Sequence, residues 1–173
     1  MIFSDLAKTL PDYAKDQRLN VSSLIAEQLL TDQQKWGTFV ACAHACGYKP
    51  LVDAVEAEAA DKLTPEGLNA ARAAATVMAM NNIYYRFTHL ASRPDYRTLP
   101  AKLRMNVIGS PGIDKADFEL FCLAVSAING CGACIDSHEK VLAGHNVGVD
   151  KIQASVRIAA VVHAVARTLQ TMA

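Results

Sequence analysis

Apolar positions recur at helical spacing along most of the chain, and the polar positions between them fall where helices should start and stop. Thr31-Asp32-Gln33-Gln34 has the form of a capping box and opens a stretch that closes near Gly47 and Pro50. A second stretch runs from Leu51 to about Ala60. Thr64-Pro65-Glu66 then supplies an N-cap followed by a proline suited to the first helical position, and predicts an alanine-rich helix to about Met80. From Asn81 to Pro111 the pattern loosens around Pro94, Pro100 and Ser110-Pro111-Gly112, with a short helix expected from Asn82 to Leu90. Asp114 reads as the cap of a helix from Lys115 to Ile128, stopped by Asn129-Gly130. The pattern restarts at Cys131 and runs to about Ala143 with Gly144 as its stop, and Asp150-Lys151-Ile152-Gln153 predicts the cap of a last helix. Asn129-Gly130 is also a hairpin signal, but the flanking runs keep helical spacing rather than alternating.

These elements predict an all-α fold, and a length of 173 residues fits one domain spanning residues 1–173. An internal echo, Val77-Met78-Ala79-Met80-Asn81 against Val125-Ser126-Ala127-Ile128-Asn129, raises an old duplication in which Ile83 and Arg86 stand where Cys131 and Cys134 stand. Composition agrees with the helices, because the apolar residues are 51% of the chain, only 6% is aromatic, and alanine dominates the rest.

Charge removes several functions. Lys plus Arg equals Asp plus Glu at 17 each, with the two signs interleaved, which argues against a nucleic-acid groove or an anionic membrane surface. No run approaches the roughly 18 uninterrupted apolar residues of a membrane span, and the N-terminal residues lack the basic and apolar regions of a signal peptide. A cytoplasmic location is therefore expected. Five cysteines are an odd number for a disulfide framework, so redox or metal chemistry becomes the question.

The chemistry concentrates at Cys131-Gly132-Ala133-Cys134. At about 100° per residue, Cys131, Cys134 and His138 fall within roughly 60° of one another on one helix face. Cysteines one turn apart are within disulfide reach, and a helix start offers unpaired N–H groups that stabilise a thiolate, the nucleophile toward a peroxide. A sulfenic acid on one cysteine can condense with its neighbour to a disulfide. Metal binding is the competing reading, because these three residues with Glu119 or Cys122 make four zinc-type ligands. Plain packing is the third. For Cys42, Cys46 and Cys122 packing is the expected role, and His44 should point away from the face that Cys42 and Cys46 share. Lys115, Glu119, Cys122 and Ser126 fall at helical spacing, so periodicity favours a solvated stripe for Glu119.

Glu119, followed by Cys131-Gly132-Ala133-Cys134 and Ile135-Asp136-Ser137-His138, resembles the signature of the alkyl hydroperoxidase D family within the carboxymuconolactone decarboxylase-like superfamily. Asn81-Asn82-Ile83-Tyr84-Tyr85-Arg86 and Leu103-Arg104-Met105-Asn106 also look like family segments, and the similarity extends from Leu10-Pro11-Asp12-Tyr13 to the last helix. The resemblance implies an antioxidant peroxidase that reduces organic hydroperoxides to alcohols. In that reading Cys134 attacks the peroxide and becomes a sulfenic acid, and Cys131 donates a proton and resolves it as a disulfide. Glu119 and His138 assist through a relay that includes water. It further implies no tightly bound cofactor, a dihydrolipoyl group on a carrier protein as electron donor, service to a partner peroxiredoxin, and a homotrimer. Some members carry a second histidine between the cysteines, where this chain has Ala133. An ionised Glu119 would oppose a nearby thiolate unless its charge is offset. A general thiol–disulfide oxidoreductase, a zinc-stabilised helical binding module and a decarboxylase-like relative are the alternative readings.

Overall fold

The computed structural model describes residues 1–172, so Ala173, the last residue of the expected domain, lies outside the described part. The described residues form α1 (Phe3–Lys8), α2 (Lys15–Ala26), α3 (Asp32–Cys46), α4 (Lys49–Ala59), α5 (Pro65–Leu90), α6 (Asp95–Thr98), α7 (Lys115–Ile128), α8 (Gly132–Gly144) and α9 (Val149–Met172). Single 3-10 turns lie at Asp12–Ala14 and Asn106–Ile108. The all-α expectation is met: no strand occurs among the described residues. Also among them, no helix is long and apolar enough to cross a membrane.

α7 and α3 occupy the middle. Every residue of α7 from Ala116 to Ser126 is buried, as is every residue of α3 from Lys35 to Ala43, the signature of helices enclosed on all sides. α3 packs on α5, α7 and α9, and α7 packs on α5, α8 and α9. Small side chains allow the close approach: α5 turns Ala70, Ala71, Ala74 and Ala75 into the core, and Gly37 of α3 abuts the ring of Phe121. Polar ties fix the register of α3. Asp117 accepts from Gln33 Nε2 at 2.6 Å and Gln34 Nε2 at 2.8 Å, and the buried Lys35 ammonium donates to the Ile25 and Glu27 carbonyls at the end of α2.

Local caps form where the sequence places them. Thr31 and Gln34 make the reciprocal capping box, Thr64 accepts from the Gly67 N–H, Asp114 accepts from those of Ala116 and Asp117, and Gly47 closes α3 at φ 68°. Three boundaries differ from expectation. α5 does not stop near Met80 but continues to Leu90. Asn82 stays helical because its amide is used elsewhere, donating to Ser126 Oγ at 2.9 Å and accepting from Asn129 Nδ2 at 3.0 Å. The two halves of the V-x-A-x-N echo thus diverge, since Asn81 lies inside α5 whereas Asn129 ends α7. Gly144 is the last residue of α8 rather than its stop. The left-handed residue is Asn146, whose N–H bonds the Ala143 carbonyl while that of Val147 reaches Leu142. Asp150 lies in the first turn of α9, favourable to the dipole, but is not its cap.

Gly37 yields a prediction. A Cβ there would overlap the Phe121 ring in the core, so Gly37→Ala should lower stability by about 1–2 kcal/mol, overpacking outweighing alanine's better helix propensity. A denaturant midpoint equal to or above wild type would show that α3 and α7 can part at no cost.

Candidate active site

The site is organised by the reversal between α7 and α8. Gly130 takes φ 66°, its N–H bonds the Ala127 carbonyl, and the Cys131 N–H bonds that of Ser126, a paired C-terminal cap on α7. Asn129 itself remains right-handed. Cys131 is at the same time the N-cap of α8, its Sγ accepting from the Cys134 N–H at 3.3 Å. One residue therefore terminates one helix and starts the next. Arg86 reinforces the turn by donating to the Asn129 carbonyl at 2.5 Å.

Cys131 and Cys134 are joined as a disulfide with Cα atoms 5.3 Å apart. Their surroundings differ. Cys131 is closed off completely, whereas Cys134, at 6% exposure, lines a cavity of about 480 Å³. Met78, Asn81 and Tyr85 of α5, Met105 and Ile108 of the connecting segment, Glu119 of α7 and His138 of α8 share that cavity. Cys134 Sγ lies 3.9 Å from the Asn81 carbonyl oxygen, and Asn81 Oδ1 is a buried oxygen that no protein donor reaches.

Glu119 is the main correction to the sequence reading. It does not lie on a solvated stripe: it is 2% exposed, and Cys122 and Ser126 on the same face are fully buried. Its Oε1 pairs with Lys115 Nζ and its Oε2 with His138 Nδ1, each at 2.5 Å. Burial pushes the carboxyl up, but the hydrogen bonds from His138 and Lys115, with their charges, outweigh it and hold the group below the usual glutamate range. The Lys115 ammonium also donates to the Ile108 carbonyl at 2.5 Å. Lys115 is thus the site residue that motif reasoning missed; its place one turn before Glu119 was the available signal. It offsets the carboxylate charge that would otherwise oppose a thiolate at Cys134.

The structure brings Cys134, His138 and Glu119 around one cavity and sets Cys131 behind Cys134. The other cysteines stand apart as free thiols. Burial and the Glu119 charge push Cys122 well above the ordinary thiol range, and burial does the same for Cys42. Burial pushes Cys46 up to about 11. His44 pairs with Glu56 at 2.7 Å, away from the cysteines of α3.

Residues 94–173 match the carboxymuconolactone decarboxylase family. The chain is 66% identical over 166 residues, 96% of each chain, to a protein named alkyl hydroperoxide reductase AhpD from Rhizorhabdus wittichii. Proteins of the same name from Methylobacterium and Maricaulis maris are 60% identical over 172 residues and 57% over 169; the first match spans 99% of this chain and 98% of the relative, the second 98% of each.

The buried carboxylate gives a pH-dependent prediction. Because the folded state holds Glu119 below its ordinary value of 4.5, its pairing stabilises the fold fully above about pH 4.5 and is lost as pH falls through the folded value. Lys115→Met should cost about 1–3 kcal/mol at pH 7, partial exposure of the lysine tempering the loss, and the gap to wild type should close toward pH 3 in urea melts. A gap independent of pH would mean that Lys115 acts only through packing.

Proposed function

The chain belongs to the alkyl hydroperoxide reductase AhpD family, and on that premise we propose that Cys134 is its peroxide-attacking residue and Cys131 its resolving one. The protein is an antioxidant peroxidase, an oxidoreductase acting on organic hydroperoxides. The Cys134 thiolate attacks the terminal, hydrogen-bearing oxygen of ROOH, the O–O bond breaks, and its electron pair leaves on the alkoxide, which takes a proton to become ROH. Cys134 is left as a sulfenic acid. The Cys131 thiol then attacks that sulfur, water departs, and the disulfide forms. One observation carries this order: Cys134 faces the cavity with Glu119 and His138, while Cys131 lies fully buried behind it within bonding distance.

His138 and Glu119 set the charge beside the reacting sulfur. Two electrons must return in each cycle, and a dihydrolipoyl group on a carrier protein suits the task because its own ring-closing disulfide balances the reaction as ROH, water and lipoyl disulfide. A peroxiredoxin that shares this reductant is the further partner proposed. The protein works as a homotrimer in this reading, and exposed Ile83, Phe87 and Leu90 late in α5, with Leu99 beyond it, provide apolar surface for such an assembly. A reducing cytoplasm fits a cycle that depends on reopening a disulfide and a chain that keeps Cys42, Cys46 and Cys122 free.

The test is consumption of an alkyl hydroperoxide with dihydrolipoamide as reductant. Wild type should turn over, and Cys134→Ser should fall to the uncatalysed rate. Turnover by Cys134→Ser at the wild-type rate would sink the assignment. Disulfide reduction without any hydroperoxide consumption by wild type would favour a general thiol–disulfide oxidoreductase.

A further inference from the structure

The relay residues leave one contact unexplained. His138 Nε2 lies 3.2 Å from the Met78 thioether sulfur, Sδ. Met78 is 1% exposed, and the same sulfur also receives Ser126 Oγ at 3.5 Å and Asn82 Nδ2 at 3.7 Å. A thioether sulfur accepts hydrogen bonds and never donates. Nε2 must therefore carry hydrogen, since its lone pair would otherwise be pressed against those of sulfur. On the other side of the ring Nδ1 meets a carboxylate oxygen, so a second proton lies between Nδ1 and Oε2.

We propose that Met78 is a positioning residue that keeps the Glu119–His138 pair doubly protonated, so that with Lys115 the cluster carries net charge +1 beside Cys134. The sum is the same whichever atom of the short Nδ1–Oε2 bond holds the shared proton. The charged and titratable groups that share the cavity with His138 are Lys115 and Glu119 from α7, Cys134 on its own helix and Tyr85 from α5, and the Cys122 thiol lies within reach of the Glu119 charge. Among them the only carboxylate is already matched by Lys115, which leaves the histidine proton as the surplus charge. A net positive cluster one turn from Cys134 lowers the cost of its thiolate and so supports the attack assigned above. The inference rests on that assignment for its catalytic meaning, but not for its test.

Methionine and leucine are close in volume, so Met78→Leu removes the acceptor and keeps the packing. The reduced variant, alkylated by iodoacetamide across pH, should show the midpoint of Cys134 reactivity about one pH unit above wild type. The rate near neutrality should drop roughly tenfold. Superimposable profiles would overturn the proposal, because a packing role leaves the titration unmoved. Nitrogen-15 spectra of the wild-type imidazoles give an independent reading that holds even if the variant fails to fold. His138 Nε2 should be protonated at neutral pH, and an unprotonated Nε2 would refute the inference. Neither measurement uses peroxide, so a failure here is separable from a failure of the peroxidase assay.

Discussion

A carboxylate buried on a helix with no wet face constrains everything around it. An ionised group there is tolerated only if both oxygens are bonded and the charge is matched. Glu119 meets the first condition through Lys115 and His138, which come from opposite directions: one from its own helix, the other from α8. Lys115 meets the second condition as well, and Met78, reaching in from α5, occupies the far side of the imidazole. Three helices are thereby held in one relative position, and the space they leave between them is the cavity onto which Cys134 opens.

The reversal at Asn129, Gly130 and Cys131 delivers the sulfurs to that space. Using Cys131 both as the residue after one helix cap and as the N-cap of the next leaves it no freedom to move outward, while Cys134 is carried one turn along and toward the cavity. The roles proposed for two chemically identical side chains rest on that difference in position: the sulfur that lines the cavity as attacker, and the one held at the helix start as the neighbour against which it closes.

How much of this was legible in the sequence depended on the range of the interactions. Caps and spacing act over a few residues, so the capping box at Thr31, the caps at Thr64 and Asp114, and the inward face of Cys134 and His138 could be read directly. The continuation of α5 through Asn81 and Asn82 could not, because the groups that satisfy Asn82 lie in α7 and at its end. Helical spacing put Glu119, Cys122 and Ser126 on one stripe but could not say that α5 and α8 cover it. The family resemblance supplied the importance of Glu119, and only the packing supplied its partners. Gly144 misled for the opposite reason: glycine permits a left-handed stop, yet here an asparagine two residues later takes it.

Which sulfur meets the peroxide separates the roles of the two cysteines. Cys131→Ser protein, fully reduced and given one equivalent of an alkyl hydroperoxide with dimedone present, should carry the sulfenic-acid adduct on Cys134 when its peptides are analysed by mass spectrometry. The Cys134→Ser protein, treated identically, should carry none. An adduct on Cys131 in the second protein, formed as fast as that on Cys134 in the first, would contradict the assignment of roles by access to the cavity.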